Sequence, residues 1–145
     1  MPFFLVSGPQ LAEGDGTRLS PLALPQDYWV VVLLPHGARK PSTASVYEAF
    51  DRRGGDAGYE LRRAELVRAL GRVARPRDLA VLPPNDLASS PHARRLRELG
   101  AFRADVTGAG PVVYGLFQHK AAADAARREL ASLGRAWITV PAWYG

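Results

Sequence analysis

The sequence contains no cysteine and a single methionine. Without thiols there can be no disulfide, no zinc–thiolate centre and no cysteine nucleophile, an absence compatible with a reducing cytoplasm. Long apolar runs are missing as well. The longest strongly apolar stretch, Trp29 to Leu34, falls far short of the roughly 20 residues a membrane-spanning helix requires. The opening Met1-Pro2-Phe3-Phe4-Leu5-Val6 has no basic region ahead of it and no adequate apolar core, so it does not read as a signal peptide. A soluble, cytoplasmic chain is expected. His36, His92 and His119 are the only histidines. They are too dispersed for a recognisable metal set, and each is expected as an exposed polar residue. No Gly-x-Ser-x-Gly elbow, Walker loop or helix-opening Gly-x-Gly-x-x-Gly occurs, which leaves serine-hydrolase, P-loop and dinucleotide chemistry without support.

What remains is a folded, basic chain. Its 145 residues suit one domain with a real core, and 47% hydrophobic with 9% aromatic residues argues against disorder. The formal charge is +5, carried almost wholly by arginine, since Lys40 and Lys120 are the only lysines. Such a balance favours anionic partners. The arginines come as scattered pairs, Arg52-Arg53, Arg62-Arg63, Arg94-Arg95 and Arg127-Arg128, with no basic run interleaved with aromatics for base stacking. Solvated helix faces are the expectation, and a nucleic-acid binder is the least favoured reading.

Glycine and proline punctuate residues 1–27, predicting a loop with short extended pieces. Tyr28 to Leu34 is a buried strand stopped by Pro35. Ser42 or Thr43 caps a short helix reaching about Phe50. A helix over Tyr59 to Ala74 places Leu66, Ala69, Leu70 and Val73 on one buried stripe, with Pro76 limiting it. Asn85 after Pro83-Pro84 can cap a short turn. Ser90-Pro91 opens a helix that Gly100 terminates. Phe102–Val106 and Val112–Phe117 are strands joined by Thr107-Gly108-Ala109-Gly110-Pro111. A helix from His119 to Leu133 buries Ala122, Ala126, Leu130 and Leu133, and Gly134 ends it. Ala136–Val140 is the last strand. The order predicts an α+β, ferredoxin-like domain whose antiparallel sheet is covered by helices on one face.

Two glycine clusters could touch a ligand. Gly14-Asp15-Gly16-Thr17 reads as an ordinary tight turn. In Thr107-Gly108-Ala109-Gly110-Pro111, small residues permit positive φ and leave N–H groups where an anion could rest. Taken alone, a plain hairpin turn is the commoner use of those residues.

The stretch Asp105 to Phe117 resembles the Gly-Ser-Gly-Pro motif and following strand of GHMP-type kinases. Within that group the branch acting on 4-diphosphocytidyl-2-C-methyl-D-erythritol, in non-mevalonate isoprenoid biosynthesis, is the most similar. Pro2-Phe3-Phe4-Leu5, then Gly8-Pro9 through Gly14, Gly16, Leu19 and Pro21-Leu22, then Gly37–Thr43 with Val46-Tyr47, then Asn85-Asp86-Leu87 follow the pattern of that branch in the same order. The loop before Thr43 is one residue longer here.

The resemblance implies a remnant of an N-terminal domain and linker over residues 1–27 and a GHMP-kinase C-terminal domain over residues 28–145. It implies that Tyr47 packs on the cytosine of the substrate with Thr43 close by, although core packing for Tyr47 and capping for Thr43 stay open. It places Thr107, Gly108, Ala109 and Gly110 in an active-site wall. ATP and magnesium are implied by the family, with none held by this chain. The family's phosphate loop and the aspartate before Val-Pro-Phe-Phe correspond to nothing here, and neither Asp15 nor Asp105 matches the base. An isolated chain without kinase activity is therefore expected. Its expected partners are a cytidine-containing substrate and either a separate N-terminal half or a second copy meeting Pro2–Val6. A catalytically idle cytidine-nucleotide-binding or interaction module is the alternative.

Overall fold

The computed structural model describes residues 8–14, 16–39 and 42–141. Pro2–Val6 and Asp15 lie outside them. The first described segment is a hairpin: β1 (Gln10–Glu13) pairs antiparallel with β2 (Arg18–Pro21). Its turn needs the left-handed backbone that Gly14 (φ 65) and Gly16 (φ 85) supply.

The rest is built on one four-stranded antiparallel sheet, ordered β4-β5-β3-β6. Its strands are β3 (Trp29–Pro35), β4 (Arg103–Val106), β5 (Val113–Phe117) and β6 (Gly134–Thr139). Helix α3 (Pro91–Glu98) precedes β4, and α4 (Lys120–Leu130) joins β5 to β6. Each helix returns the chain with one strand left between, which gives the expected ferredoxin-like arrangement. Strand alternation decides the covered face: Val31 and Leu33 are fully buried, whereas Val30, Val32 and Leu34 are half-buried. The core joins those two to Val113, Phe117, Leu96, Ala123, Ala126 and Leu130. Each large apolar side chain so buried contributes about 1.5–3 kcal/mol.

Several expectations need correction. Fully buried positions of α4 are Ala123, Ala126 and Leu130; Ala122 and Leu133 only flank the core, Ala122 because it sits one residue off that stripe and Leu133 because the helix stops at Leu130. α2 (Tyr59–Leu70) ends at Gly71 and buries no residue. Its stripe of Leu66, Ala69, Leu70 and Val73 is half-buried, and the ion pairs α2 makes, Arg63 with Glu13 at 2.5 Å and Arg62 with Asp86 at 3.3 Å, are largely solvent-exposed and hold it only weakly. A 3-10 helix, Pro76–Val81, follows where only a stop was expected. The N–H groups of Arg75 and Ala74 donate to Asp78, which holds its carboxyl below the usual range.

Gly134 does not merely end α4; it opens β6, opposite Pro35. A Cβ there would run into the Leu34 carbonyl and come within 2.8 Å of Pro35 Cα. Both obstacles are backbone and cannot rotate away. Gly134→Ala is expected to lose about 1–3 kcal/mol of stability, read by urea denaturation. A loss within the scatter of surface substitutions would show that β3 and β6 can part without cost.

Candidate functional site

At one end of the sheet a cavity of about 740 Å³ opens between four pieces of chain. They are the residues leaving β3, one face of α1 (Thr43–Arg52), the segment entering α3, and the β4–β5 turn.

The turn is internally held. Thr107 N–H donates to Val112 O at 2.8 Å and Gly110 N–H to Thr107 O at 2.8 Å. Gly108 (φ 50) and Gly110 (φ 78) occupy left-handed backbone, which a side chain would strain. The N–H groups of Gly108 and Ala109 have no acceptor among the described residues. Ala109 and Gly110 face the cavity; Thr107 is exposed beside it.

Asn85 fastens this turn to the opposite wall. Its Nδ2 donates to Val106 O at 3.0 Å and to Gly108 O at 2.7 Å, while its Oδ1 accepts from Leu87 N–H at 2.9 Å. The last bond is the turn-capping use expected for Asn85. Asp105 accepts from Asn85 N–H at 2.7 Å and from Val106 N–H at 2.8 Å, so its carboxylate is structural.

Arg103 stands behind both and was not singled out by the sequence. Its guanidinium donates to Tyr114 Oη (3.0 Å), Leu79 O (3.1 Å), Leu82 O (2.6 Å) and Pro83 O (2.8 Å). It also lies 3.7 Å from Asp105. One signal existed: an arginine and an aspartate two apart on a short strand share one sheet face.

Helix α1 supplies the third wall. Ser42, not Thr43, caps it, its Oγ accepting from Ser45 N–H at 3.1 Å. Ser45, Val46, Ala49 and Arg52 face the cavity; Thr43 and Tyr47 do not line it. Thr43 is exposed, and the Tyr47 ring is 50% exposed, so core packing within this chain is not its role. The structure therefore brings α1 to the glycine turn through Ser45, Val46, Ala49 and Arg52, and Tyr47 lies about half a helical turn away from that face.

His36 and His92, expected as unrelated surface residues, face this same cavity. His119 is remote from it, at the start of α4. Among the described residues no aspartate or glutamate lines the cavity, and no group of three metal-ligating side chains occurs. Magnesium prefers oxygen ligands including carboxylate, so the residues present do not fit a magnesium site.

Residues 93–136 match the family model for the C-terminal domain of GHMP kinases. Together with the sheet order above, this match gives the chain the fold of a GHMP kinase C-terminal domain. Its relatives are more particular. The 4-diphosphocytidyl-2-C-methyl-D-erythritol kinase of Anaeromyxobacter sp. is 34% identical, over 90% of this chain and 43% of its own length. The kinase of the same name from Thermus thermophilus is 35% identical, over 94% of this chain and 50% of its own. A crystal structure of 4-(cytidine 5'-diphospho)-2C-methyl-D-erythritol kinase superposes with a TM-score of 0.72 at 33% identity, covering 98% of this chain and 53% of that one. L. major mevalonate kinase, at 19% identity and a TM-score of 0.66, shares the fold. The chain spans about half the length of the curated relatives it matches.

Proposed function

We propose that the chain is the substrate-side part of an ATP-dependent kinase that phosphorylates 4-diphosphocytidyl-2-C-methyl-D-erythritol, and that it does not turn over by itself. The observation that carries this is the likeness, over 98% of the chain at 33% identity, to a solved kinase of that substrate. In this reading residues 1–27 close the preceding domain and residues 28–145 form the C-terminal one. Tyr47 stacks on the cytosine, Thr43 sits beside it, and Thr107 to Gly110 wall the site.

Phosphoryl transfer demands a phosphate cradle, charge neutralisation and an oriented nucleophile. A cavity with no carboxylate among its described lining residues offers neither a carboxylate base nor the oxygen ligands magnesium prefers, which also favours the second reading, a cytidine-nucleotide-binding module without catalysis. A partner carrying the glycine-rich loop and the aspartate would supply those parts.

Titration and coupled ADP assays on the purified chain separate the two. Cytidine 5'-diphosphate is expected to bind, and Tyr47→Ala to weaken it roughly tenfold to a hundredfold, the worth of one stacked base. No substrate-dependent ADP should form until an N-terminal kinase half is added. Turnover by the chain alone would overturn its idleness; unchanged affinity in Tyr47→Ala would remove the stacking role. Binding without turnover in the reconstituted pair would select the module reading.

A further inference from the structure

We infer that the open edge of β6 is a self-association surface, on which β6 of a second copy of this chain pairs antiparallel and joins two four-stranded sheets into one.

The two edges of the sheet are finished differently. At the β4 edge, side chains already meet the outward polar groups. Arg97 donates to Ala104 O at 2.7 Å and Asn85 Nδ2 to Val106 O at 3.0 Å, while Val106 N–H donates to Asp105 at 2.8 Å. Arg103 and Asp105 also put charge on that strand. Such devices keep a sheet edge from pairing with another chain. Along β6 none of them occurs among the described residues. His36 N–H donates to Leu133 O at 2.9 Å, and the alternation of an antiparallel ladder then turns the backbone groups of Arg135, Trp137 and Thr139 toward β3. The N–H and C=O of Ala136 and Ile138 therefore point away from the sheet, and no described residue meets them. Pro141 falls on the alternation that faces β3, so it takes no donor from the open edge.

Apolar surface surrounds these groups. Leu133, Ala136 and Ile138 pack on the core yet stay half-buried, and Trp137 and Val140 are 42% and 46% exposed. A second sheet would continue the core across this edge.

The strand is complementary to itself, which selects a second copy as the occupant. The outward positions 134, 136, 138 and 140 lie two on each side of Trp137. A two-fold axis there sets Ala136 against Ile138 of the second copy, and each such pair exchanges both N–H···O=C bonds. Arg135 is the one charged residue of β6, and its guanidinium lies over the Trp137 ring at 5.2 Å. In this register it faces Thr139 of the second copy, and the two arginines stay about 13 Å apart along the strands. An interface of paired edge strands is small, below roughly 1,200 Å², which corresponds to a weak, concentration-dependent dimer. None of this rests on the proposed function.

Sedimentation equilibrium of the purified chain over a wide concentration range tests the inference, and a reversible monomer–dimer equilibrium is expected. Thr139→Lys sets a cation against Arg135 of the second copy and should weaken the dimer roughly twofold to thirtyfold. Thr139→Glu should strengthen it by a similar factor, because two symmetry-related cross-strand pairs change together. Arg135→Glu added to Thr139→Lys should restore the dimer. Ala136→Pro removes an outward N–H but no bond to β3, and should abolish the dimer where it stays folded; the exposed Thr139 variants decide the matter if it does not. A chain that stays monomeric throughout overturns the inference, as does a dimer that the two Thr139 variants move in the same direction or not at all. A dimer that Phe4→Asp dissolves and Thr139→Lys leaves intact also overturns it, in favour of a contact through residues 2–6.

Discussion

Arg103→Ala is expected to lose about 3 kcal/mol or more of folding stability. The arginine is the tie between the sheet and the segment that lies over its outer face. Its side chain is 14% exposed, and its donors meet Tyr114 Oη and the carbonyls of Leu79, Leu82 and Pro83. Alanine strands those acceptors and leaves Asp105 without its counter-charge 3.7 Å away. Breaking one partner of a largely buried pair typically costs about 3–5 kcal/mol, a large share of the roughly 5–15 kcal/mol that holds a domain together. Chemical denaturation with linear extrapolation gives the number. Arg103→Lys should recover less than half, because one ammonium cannot span three carbonyls and a phenol. A loss below about 1 kcal/mol in Arg103→Ala would mean that the 79–83 segment is held by apolar contact, with Leu79 and Pro76 as its anchors.

The segments legible from sequence were those whose signals are local. Pro91 after Ser90 and Gly100 beyond Leu99 bracket α3 within a residue or two, because caps and stops act over one turn. The β-branched run of β3 and the glycine turn between β4 and β5 read equally well, and their order sufficed for the ferredoxin-like arrangement. Periodicity misled where the partner surface was absent. The stripe of α2 has helical spacing, but nothing among the described residues packs deeply on it, and spacing alone cannot report that. The 3-10 helix hid behind Pro76, which reads as a stop in an α pattern and as a start here.

The site divides along the same line. Glycines 108 and 110 declared the turn, since left-handed backbone leaves a compositional mark. Asn85 was legible as a turn capper, but not its reach to Val106 and Gly108, which depends on the β4–β5 hairpin coming alongside. His36 and His92 carry no mutual spacing that any motif could flag; the sheet order brings them to one cavity. Arg103 escaped notice for a related reason: alternation tells which face it takes, not which carbonyls lie above.

Asn85→Ala should damage the site out of proportion to its effect on folding. The substitution keeps the backbone N–H that Asp105 accepts at 2.7 Å. It removes three bonds: two from Nδ2, to Val106 O and Gly108 O, and the one Oδ1 accepts from Leu87 N–H. At about 0.5–1.5 kcal/mol each net, with some recovered by water, a stability loss of roughly 2 kcal/mol is expected. The site feels more than this, because Asn85 is the link between two cavity walls. Leu87 to His92 follow it on one side, and Ala109 and Gly110 follow the carbonyl of Gly108 on the other. Once that link is gone, His92 and the Ala109 N–H no longer hold a common distance, and a ligand must order them on binding. Affinity for cytidine 5'-diphosphate should therefore fall at least tenfold at temperatures where the variant remains folded. Asn85→Asp restores the acceptor for Leu87 N–H but sets a carboxylate against two carbonyls and Asp105, so it should bind no better than the alanine. Full affinity in Asn85→Ala would mean that the walls are positioned independently, the turn by its own Thr107–Val112 bond and the other wall by the Ser90 cap of α3.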